Sequence, residues 1–126
     1  MPAPLILIIE DDSHIGGLVS EVLREAGYRT HLLPDANAAR SPEVHALRPA
    51  AVISDLVVEG VGPPAEVASQ LGRIFPGVPV TLMTGVPPNR RLQLGVHHGL
   101  VLEKPFDLEA LLAAVASMVG QPSPGP

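Results

Sequence analysis

Residues 5–12 read LILIIEDD, in which five consecutive aliphatic residues are followed by three acids. An unbroken apolar run rich in β-branched side chains is typical of a strand that is buried on both faces at the centre of a parallel sheet. Because the acids follow at once, we expect them just beyond the carboxyl end of that strand. The stretch therefore predicts a central strand and a charged loop next to it.

Similar short apolar runs recur along the chain and alternate with longer stretches of helical spacing. The predicted strands lie at residues 5–9, 29–33, 51–54, 78–83 and 100–102. Alternation of this kind is typical of parallel strands joined by covering helices. The sequence therefore predicts an α/β fold, a doubly wound sheet of five parallel strands.

The sequence signals for the helices differ in strength. Ser13 is the predicted N-cap of the first helix, and Asp107 is the predicted N-cap of the last, which ends at Gly120. A third helix should begin at Pro63-Pro64. Prolines should also break a helix over residues 36–47 and leave only a short one around residues 92–96.

The length and composition exclude several classes of protein. A chain of 126 residues with 46% hydrophobic residues suits one folded domain, predicted over residues 1–120, with a Pro-rich tail or linker stub over residues 121–126. The absence of cysteine excludes disulfides, thiolate nucleophiles and Cys-ligated metal sites. A net charge of −5 argues against direct binding to nucleic acid or to an anionic membrane surface. With no leader and no apolar run near the roughly 18 residues of a membrane span, we expect a cytoplasmic protein.

Polar residues follow four of the predicted strands where each strand ends. They are, in chain order, Glu10-Asp11-Asp12, Asp55, Thr84 and Glu103-Lys104. The carboxyl ends of parallel strands meet at one edge of the sheet, where ligands of such sheets bind. We therefore expect these side chains to form one site.

Carboxylates crowded at this edge would repel one another unless a cation lay among them. Mg²⁺ suits such a site, since it takes oxygen ligands and keeps several waters. Asp12 and Asp55 are the predicted ligands, with the backbone carbonyl of Val57. Asp11 is expected to contact the ion through a water, and Glu10 to hydrogen-bond outside the ligand set.

Asp55 is also the predicted phosphoacceptor, because a carboxylate beside a metal and an ammonium can attack phosphorus and form an acyl phosphate. Thr84 and Lys104 are predicted to hold the phosphoryl oxygens by a hydrogen bond and an ion pair.

The motifs LILIIEDD, AVISDL, VTLMTG and LEKPFD, in this order and spacing, resemble the receiver domain of bacterial response regulators, the CheY-like family. The resemblance covers nearly the whole chain. It implies a flavodoxin-like sheet of strand order 2-1-3-4-5, Mg²⁺ dependence and a cis peptide bond at Lys104-Pro105. It also implies phosphotransfer from a histidine kinase or a histidine phosphotransfer protein in a two-component system or phosphorelay, and a signal to a downstream protein that the sequence does not identify.

The chain departs from the family at three positions. Val101 stands where the family commonly has the Tyr or Phe of its conformational switch. Val57 and Val86 stand where polar side chains of the family help to orient the water that hydrolyses the acyl phosphate. We expect slow autodephosphorylation, with the alternative that both valines merely pack against helices.

Two other functions remain open at this stage. A pseudo-receiver would dock partners without phosphorylation. A Mg²⁺-dependent phosphohydrolase would need a second acid two residues after the nucleophile, where Val57 stands. We therefore expect a phosphoacceptor domain and not an enzyme, with self-catalysed phosphotransfer and hydrolysis only. His97 and His98 are not expected to bind metal, and Arg90 and Arg91 are expected on a solvated helix face.

Overall fold

The computed structural model describes residues 3–95 and 101–120 and contains a five-stranded parallel sheet. The order across the sheet is β2-β1-β3-β4-β5, which confirms the predicted topology. The strands are β1 (Leu5–Ile9), β2 (Arg29–Leu33), β3 (Ala51–Asp55), β4 (Val80–Thr84) and β5 (Val101–Glu103).

The central position of β1 agrees with its sequence. All five of its residues are buried, and it pairs with β2 on one side and β3 on the other. By contrast β2 lies at an edge of the sheet, and most of its residues are exposed. The unbroken apolar run therefore marks the strand that has neighbours on both edges and helices on both faces.

Six α-helices lie between or after the strands in the described residues. They are α1 (Ser13–Glu25), α2 (Ala36–Ala39), α3 (Pro42–Ala46), α4 (Val67–Ile74), α5 (Pro88–Gln93) and α6 (Leu108–Val119). A single 3₁₀ turn, Pro64–Glu66, precedes α4. As expected, the segment around Pro42 is split into two short helices, and Ser41 caps the second by accepting a hydrogen bond from Val44 N.

The sheet separates two apolar clusters, one on each face. One cluster joins β-strand residues such as Leu7 and Val52 to α2, α3 and α4. The other joins Ile8 and Ile53 to α1 and α6. Neighbouring residues of a strand point to opposite faces, so the same strands serve both clusters.

The C-terminal end of α6 is held against the amino end of the sheet. The hydroxyl of Tyr28, just before β2, donates a hydrogen bond of 3.1 Å to the carbonyl oxygen of Gly120. Burial raises the pKa of this tyrosine above 10.0. No helix among the described residues is long and apolar enough to cross a membrane.

Several predicted boundaries need correction. Asp12, not Ser13, is the N-cap of α1, while the predicted caps at Asp107 and Gly120 hold for α6. The third strand extends one residue beyond its predicted end, to Asp55. The fourth strand runs from Val80 to Thr84 and not over residues 78–83, because its pairing with β3 begins at Val80. The fifth strand is described from Val101 onward. The short helix predicted around residues 92–96 begins earlier, since α5 runs from Pro88 to Gln93. Residue 96, the pair His97-His98 and the tail at 121–126 lie outside the described residues.

Candidate phosphoacceptor and metal site

The carboxyl ends of four strands bring the predicted side chains together. Asp55 and Thr84 are the last residues of β3 and β4, and Glu10 directly follows β1. Lys104 directly follows β5, and its backbone N–H donates a hydrogen bond of 2.7 Å to the carbonyl oxygen of Thr84. The site is therefore built on strand ends, which fix its backbone positions through the sheet.

The side chain of Lys104 contacts two of the acids at this edge. Its Nζ is 2.8 Å from Asp55 Oδ1 and 3.3 Å from Glu10 Oε2, so one ammonium group contacts acids at the carboxyl ends of two different strands. Such charge-assisted hydrogen bonds are short and strong for partly buried groups. The peptide bond between Lys104 and Pro105 is cis, the isomer that the resemblance implies.

Three carboxylates meet beside this lysine. Glu10, Asp11 and Asp55 each offer an oxygen, and the three oxygens lie within 4.8 Å of one another. Glu10 is buried, with 3% of its surface exposed, whereas Asp55 is half-buried and Asp11 exposed. An all-oxygen donor set that opens to solvent on one side fits Mg²⁺, which retains water ligands.

The structure places Asp11, and not Asp12, in the carboxylate cluster with Asp55. Asp12 Oδ1 accepts hydrogen bonds from His14 N at 2.9 Å and Ile15 N at 3.2 Å, so this side chain caps α1. In the described part of the chain, the acid that joins Asp55 in the carboxylate cluster is Asp11. Asp12 is corrected to a helix cap because its carboxylate serves the free N–H groups of the first helical turn.

Burial and neighbouring acids perturb the titration of the site. The pKa of Glu10 is raised from 4.5 to about 7, with burial as the largest cause and the contact with Asp55 as the next. The backbone N–H of Asp12 and the charge of Lys104 act in the opposite direction. Burial also lowers the pKa of Lys104, but hydrogen bonding and attraction to Asp55 outweigh it, so the net pKa lies above 10.5. The lysine therefore stays charged while Glu10 can hold a proton.

Thr84 is buried, and its hydroxyl faces the next loop. Thr84 Oγ1 accepts a hydrogen bond of 3.0 Å from Val86 N. A hydroxyl that accepts one hydrogen bond still has its own proton to donate. Thr84 can therefore offer a donor to an oxygen near Asp55 if the side chain turns toward it.

The three valines that depart from the family differ in environment. Val57 is 72% exposed and lines an open cavity of about 410 Å³ together with Asp11. Val86 and Val101 are half-buried and pack against the cluster shared with α4. The alternative that both Val57 and Val86 pack against helices thus suits Val86 and not Val57.

One contact at this edge was missed from the sequence. Arg91 was expected on a solvated helix face, yet only 16% of its side chain is exposed. Its guanidinium contacts Glu103 and the backbone of Val86. The sequence offers little signal for this contact beyond an acid beside Lys104, because the partners come from different elements.

Comparisons with known proteins agree with this geometry. No protein-family model matches the chain. It is 30% identical over 110 residues to the nitrogen assimilation regulatory protein NtrX of Azorhizobium caulinodans, covering 85% of this chain and 24% of that protein. It is 33% identical over 110 residues to a response regulator receiver protein of an Anaeromyxobacter strain, covering 85% and 42%. It is also 31% identical over 112 residues to the DNA-binding response regulator MtrA of Mycobacterium tuberculosis, covering 87% and 48%. The chain thus spans between a quarter and a half of these relatives.

Solved structures share the same fold. Vibrio cholerae chemotaxis protein CheY4 superposes with a TM-score of 0.71 at 23% identity, over 92% of this chain and 98% of that one. A putative response regulator from Chloroflexus aurantiacus gives 0.74 at 20% identity, over 94% and 99%. The beryllofluoride-activated NtrC4 receiver domain dimer gives 0.72 at 20% identity, over 91% and 95%.

The raised pKa of Glu10 makes a prediction about stability. The folded state binds this proton more tightly than the unfolded state, so between about pH 4.5 and pH 7 the contribution of Glu10 to the unfolding free energy should fall as the pH rises. Since one pKa unit corresponds to about 1.4 kcal/mol, the whole change should be at most a few kcal/mol. Chemical denaturation in metal-free buffer at several pH values measures it.

Because other groups titrate in the same range, the informative quantity is the difference between a variant and wild type. Glu10→Gln should gain stability relative to wild type as the pH rises through this window. Glu21→Gln, a change at an exposed glutamate of α1, is the matched control and should follow wild type. Parallel pH profiles for Glu10→Gln and wild type would contradict the assignment.

Proposed function

The chain is a CheY-like receiver domain, and from that premise we propose that it accepts a phosphoryl group on Asp55 and signals through protein contacts in a two-component system. The observation that carries the proposal is the ion pair between Lys104 Nζ and Asp55 Oδ1, 2.8 Å long, beside the acids Glu10 and Asp11. This arrangement combines a nucleophilic carboxylate, a cation and oxygen ligands for a metal at one strand edge.

In the proposed reaction an oxygen of the Asp55 carboxylate attacks the phosphorus of a phosphohistidine. The new P–O bond forms an acyl phosphate, the P–N bond breaks, and the imidazole leaves and takes up a proton. With acetyl phosphate as donor, the bond between phosphorus and the acetate oxygen breaks and acetate leaves. Hydrolysis later attaches water to phosphorus, releases inorganic phosphate and restores the Asp55 carboxylate.

Asp11 and Asp55 are the side chains proposed to hold Mg²⁺, together with the backbone carbonyl of Val57. When bound, the ion supplies positive charge that offsets the carboxylates and the phosphoryl oxygens. We assign Glu10 to orienting Lys104, which it contacts at 3.3 Å, and to hydrogen bonding outside the ligand set. The chain's own groups thus place the acceptor carboxylate before a donor arrives.

Lys104 and Thr84 are proposed to hold the transferred group. Lys104 already contacts Asp55, so its ammonium needs only a small shift to pair with a phosphoryl oxygen. Thr84 would donate its hydroxyl proton to a second oxygen. Both donors act where negative charge gathers during transfer, so they lower the barrier and stabilise the acyl phosphate.

The proposed phosphoryl donor is a histidine kinase or a histidine phosphotransfer protein, which would act in the cytoplasm. The downstream partner is a protein that nothing in this chain names. MtrA is named as a DNA-binding protein, but this chain covers only 48% of it and its own net charge of −5 gives no basis for direct contact with DNA. We assign it no catalysis on a separate substrate beyond its own phosphorylation and hydrolysis.

Incubation with acetyl phosphate and Mg²⁺ should add one phosphoryl group to the chain, observed by intact-mass spectrometry. Asp55→Asn should abolish the gain because the amide cannot attack phosphorus. Asp35→Asn is the matched control, since Asp35 caps α2 and an asparagine keeps that cap. A wild-type protein that gains no mass would favour the pseudo-receiver instead.

The affinity for Mg²⁺ should depend much more on Asp11 than on Asp12. Asp11→Asn should weaken Mg²⁺ affinity by roughly tenfold or more, since it replaces a charged carboxylate ligand with a neutral amide. Asp12→Asn removes the same charge but keeps the cap of α1, so it should have a much smaller effect. Titration of Mg²⁺ against thermal stability or by calorimetry measures both. Equal loss in the two variants, or a larger loss in Asp12→Asn, would refute the assignment of Asp11.

The acyl phosphate should be long-lived. Val57 and Val86 offer no hydrogen bond to an attacking water, and each tenfold in rate corresponds to about 1.4 kcal/mol of barrier. The variant Val57→Asn with Val86→Glu should lose its label faster than wild type, and Val57→Ala, which adds no polar group, is the control. A wild-type lifetime of seconds, or no acceleration in the double variant, would show that these positions do not govern hydrolysis.

A further inference from the structure

The side chain of Arg91 joins three parts of the chain. Its Nη1 donates one hydrogen bond of 2.8 Å to the carbonyl oxygen of Val86, in the loop after β4. The same nitrogen lies 3.2 Å from Glu103 Oε1, at the end of β5. Arg91 itself belongs to α5. We refer to these three residues and their two contacts as the Arg91 bridge.

Both ends of the Arg91 bridge adjoin the groups proposed to bind the phosphoryl oxygens. The backbone N–H of Val86 donates a hydrogen bond to Thr84 Oγ1, and the backbone carbonyl of the same residue accepts one from Arg91. Glu103 precedes Lys104, whose Nζ contacts Asp55. Both routes from Asp55 to α5 pass through Lys104. One continues through Glu103, and the other through the Lys104 N–H that donates to the carbonyl oxygen of Thr84.

We propose that Arg91 is a positioning residue that couples the phosphorylation of Asp55 to the position of α5. This inference rests on the proposed function, because it needs a group on Asp55 that draws Thr84 and Lys104 toward it. In the family that the chain resembles, an aromatic at the position of Val101 takes part in the conformational switch. We assign the corresponding coupling in this chain to Arg91 of α5.

The geometry explains how such coupling would work. When the Thr84 hydroxyl turns toward a phosphoryl oxygen, its hydrogen bond from Val86 N must lengthen or Val86 must follow. If the Lys104 backbone shifts toward the same group, Glu103, the residue before it, would move with it. One Nη1 atom holds both Val86 and Glu103, so a change in their separation breaks a contact or moves Arg91 and its helix.

Two features of α5 bear on how its movement would reach a partner. Pro87 and Pro88 restrict the backbone between Val86 and the helix, so a displacement of Val86 is not easily absorbed there. Leu92, the residue after Arg91, is 62% exposed and presents an apolar side chain to solvent. Movement of α5 would therefore change a surface that a partner can contact.

Arg90 provides a comparison within the same helix. It carries the same charge, is exposed, and its recorded hydrogen bond is to Gln93 on α5. It does not contact Val86 or Glu103 in the described residues. A variant at Arg90 thus removes equal charge from α5 while leaving the Arg91 bridge intact.

The test compares amide NMR spectra of isotopically labelled protein, with and without beryllofluoride and Mg²⁺. Two groups of amides are followed: those beside the acceptor, at Leu56 and Lys104, and those of α5, at Leu92 and Gln93. In wild type both groups should shift. In Arg91→Gln the acceptor shifts should remain while the α5 shifts fall at least about twofold, within the usual range of coupling effects.

Arg90→Gln should respond as wild type does. Glu103→Gln should reduce the α5 shifts as well, and the double variant with Arg91→Gln should lose no more than Arg91→Gln alone, since both changes remove the same contact. If Arg91→Gln does not fold, Glu103→Gln carries the test, because its exposed side chain can be changed with little effect on packing.

The outcomes separate the two proposals. Undiminished α5 shifts in Arg91→Gln, or in Glu103→Gln where that variant carries the test, overturn the role of Arg91 while the acceptor shifts uphold the proposed function. Equal losses in Arg90→Gln and Arg91→Gln overturn it too, because they would reflect charge alone. A wild type in which no amide responds to beryllofluoride overturns the proposed function, and the inference with it.

Discussion

The ion pair between Lys104 and Asp55 depends on the parallel sheet. All parallel strands end at the same edge, so the residues at and just after their carboxyl ends lie close together. Here that edge holds three acids, and close carboxylates repel one another. One ammonium that contacts both Asp55 and Glu10 offsets part of this repulsion. The raised pKa of Glu10 relieves this repulsion where the group holds its proton, and the remaining oxygens form a cluster that could hold a cation.

Much of this arrangement could be predicted from the sequence, because the signals are local. An unbroken apolar run such as residues 5–9 indicates a central strand, and a polar residue at its end indicates the edge where ligands bind. Which aspartate, Asp11 or Asp12, lies in the carboxylate cluster could not be predicted, since three acids follow one another and aspartate suits both a loop and a helix cap. Only the direction in which α1 leaves β1 assigns Asp12 to the cap.

Arg91 was mispredicted for a different reason. Its partners, Val86 and Glu103, are five and twelve residues away, in a loop and at a strand end. Helical periodicity says which face of α5 a residue occupies, but not which loop approaches that face. Contacts between elements depend on the path of the chain through Pro87-Pro88, and no local pattern encodes that path.

The hydrogen bond from Tyr28 to Gly120 has a consequence for the layout of the molecule. It lies at the amino end of β2, on the side of the sheet away from Asp55, and α6 ends there. The last described residue and the acceptor carboxylate thus occupy opposite edges of the domain. A protein that reaches Asp55 therefore approaches the edge of the sheet opposite to the one at which α6 ends.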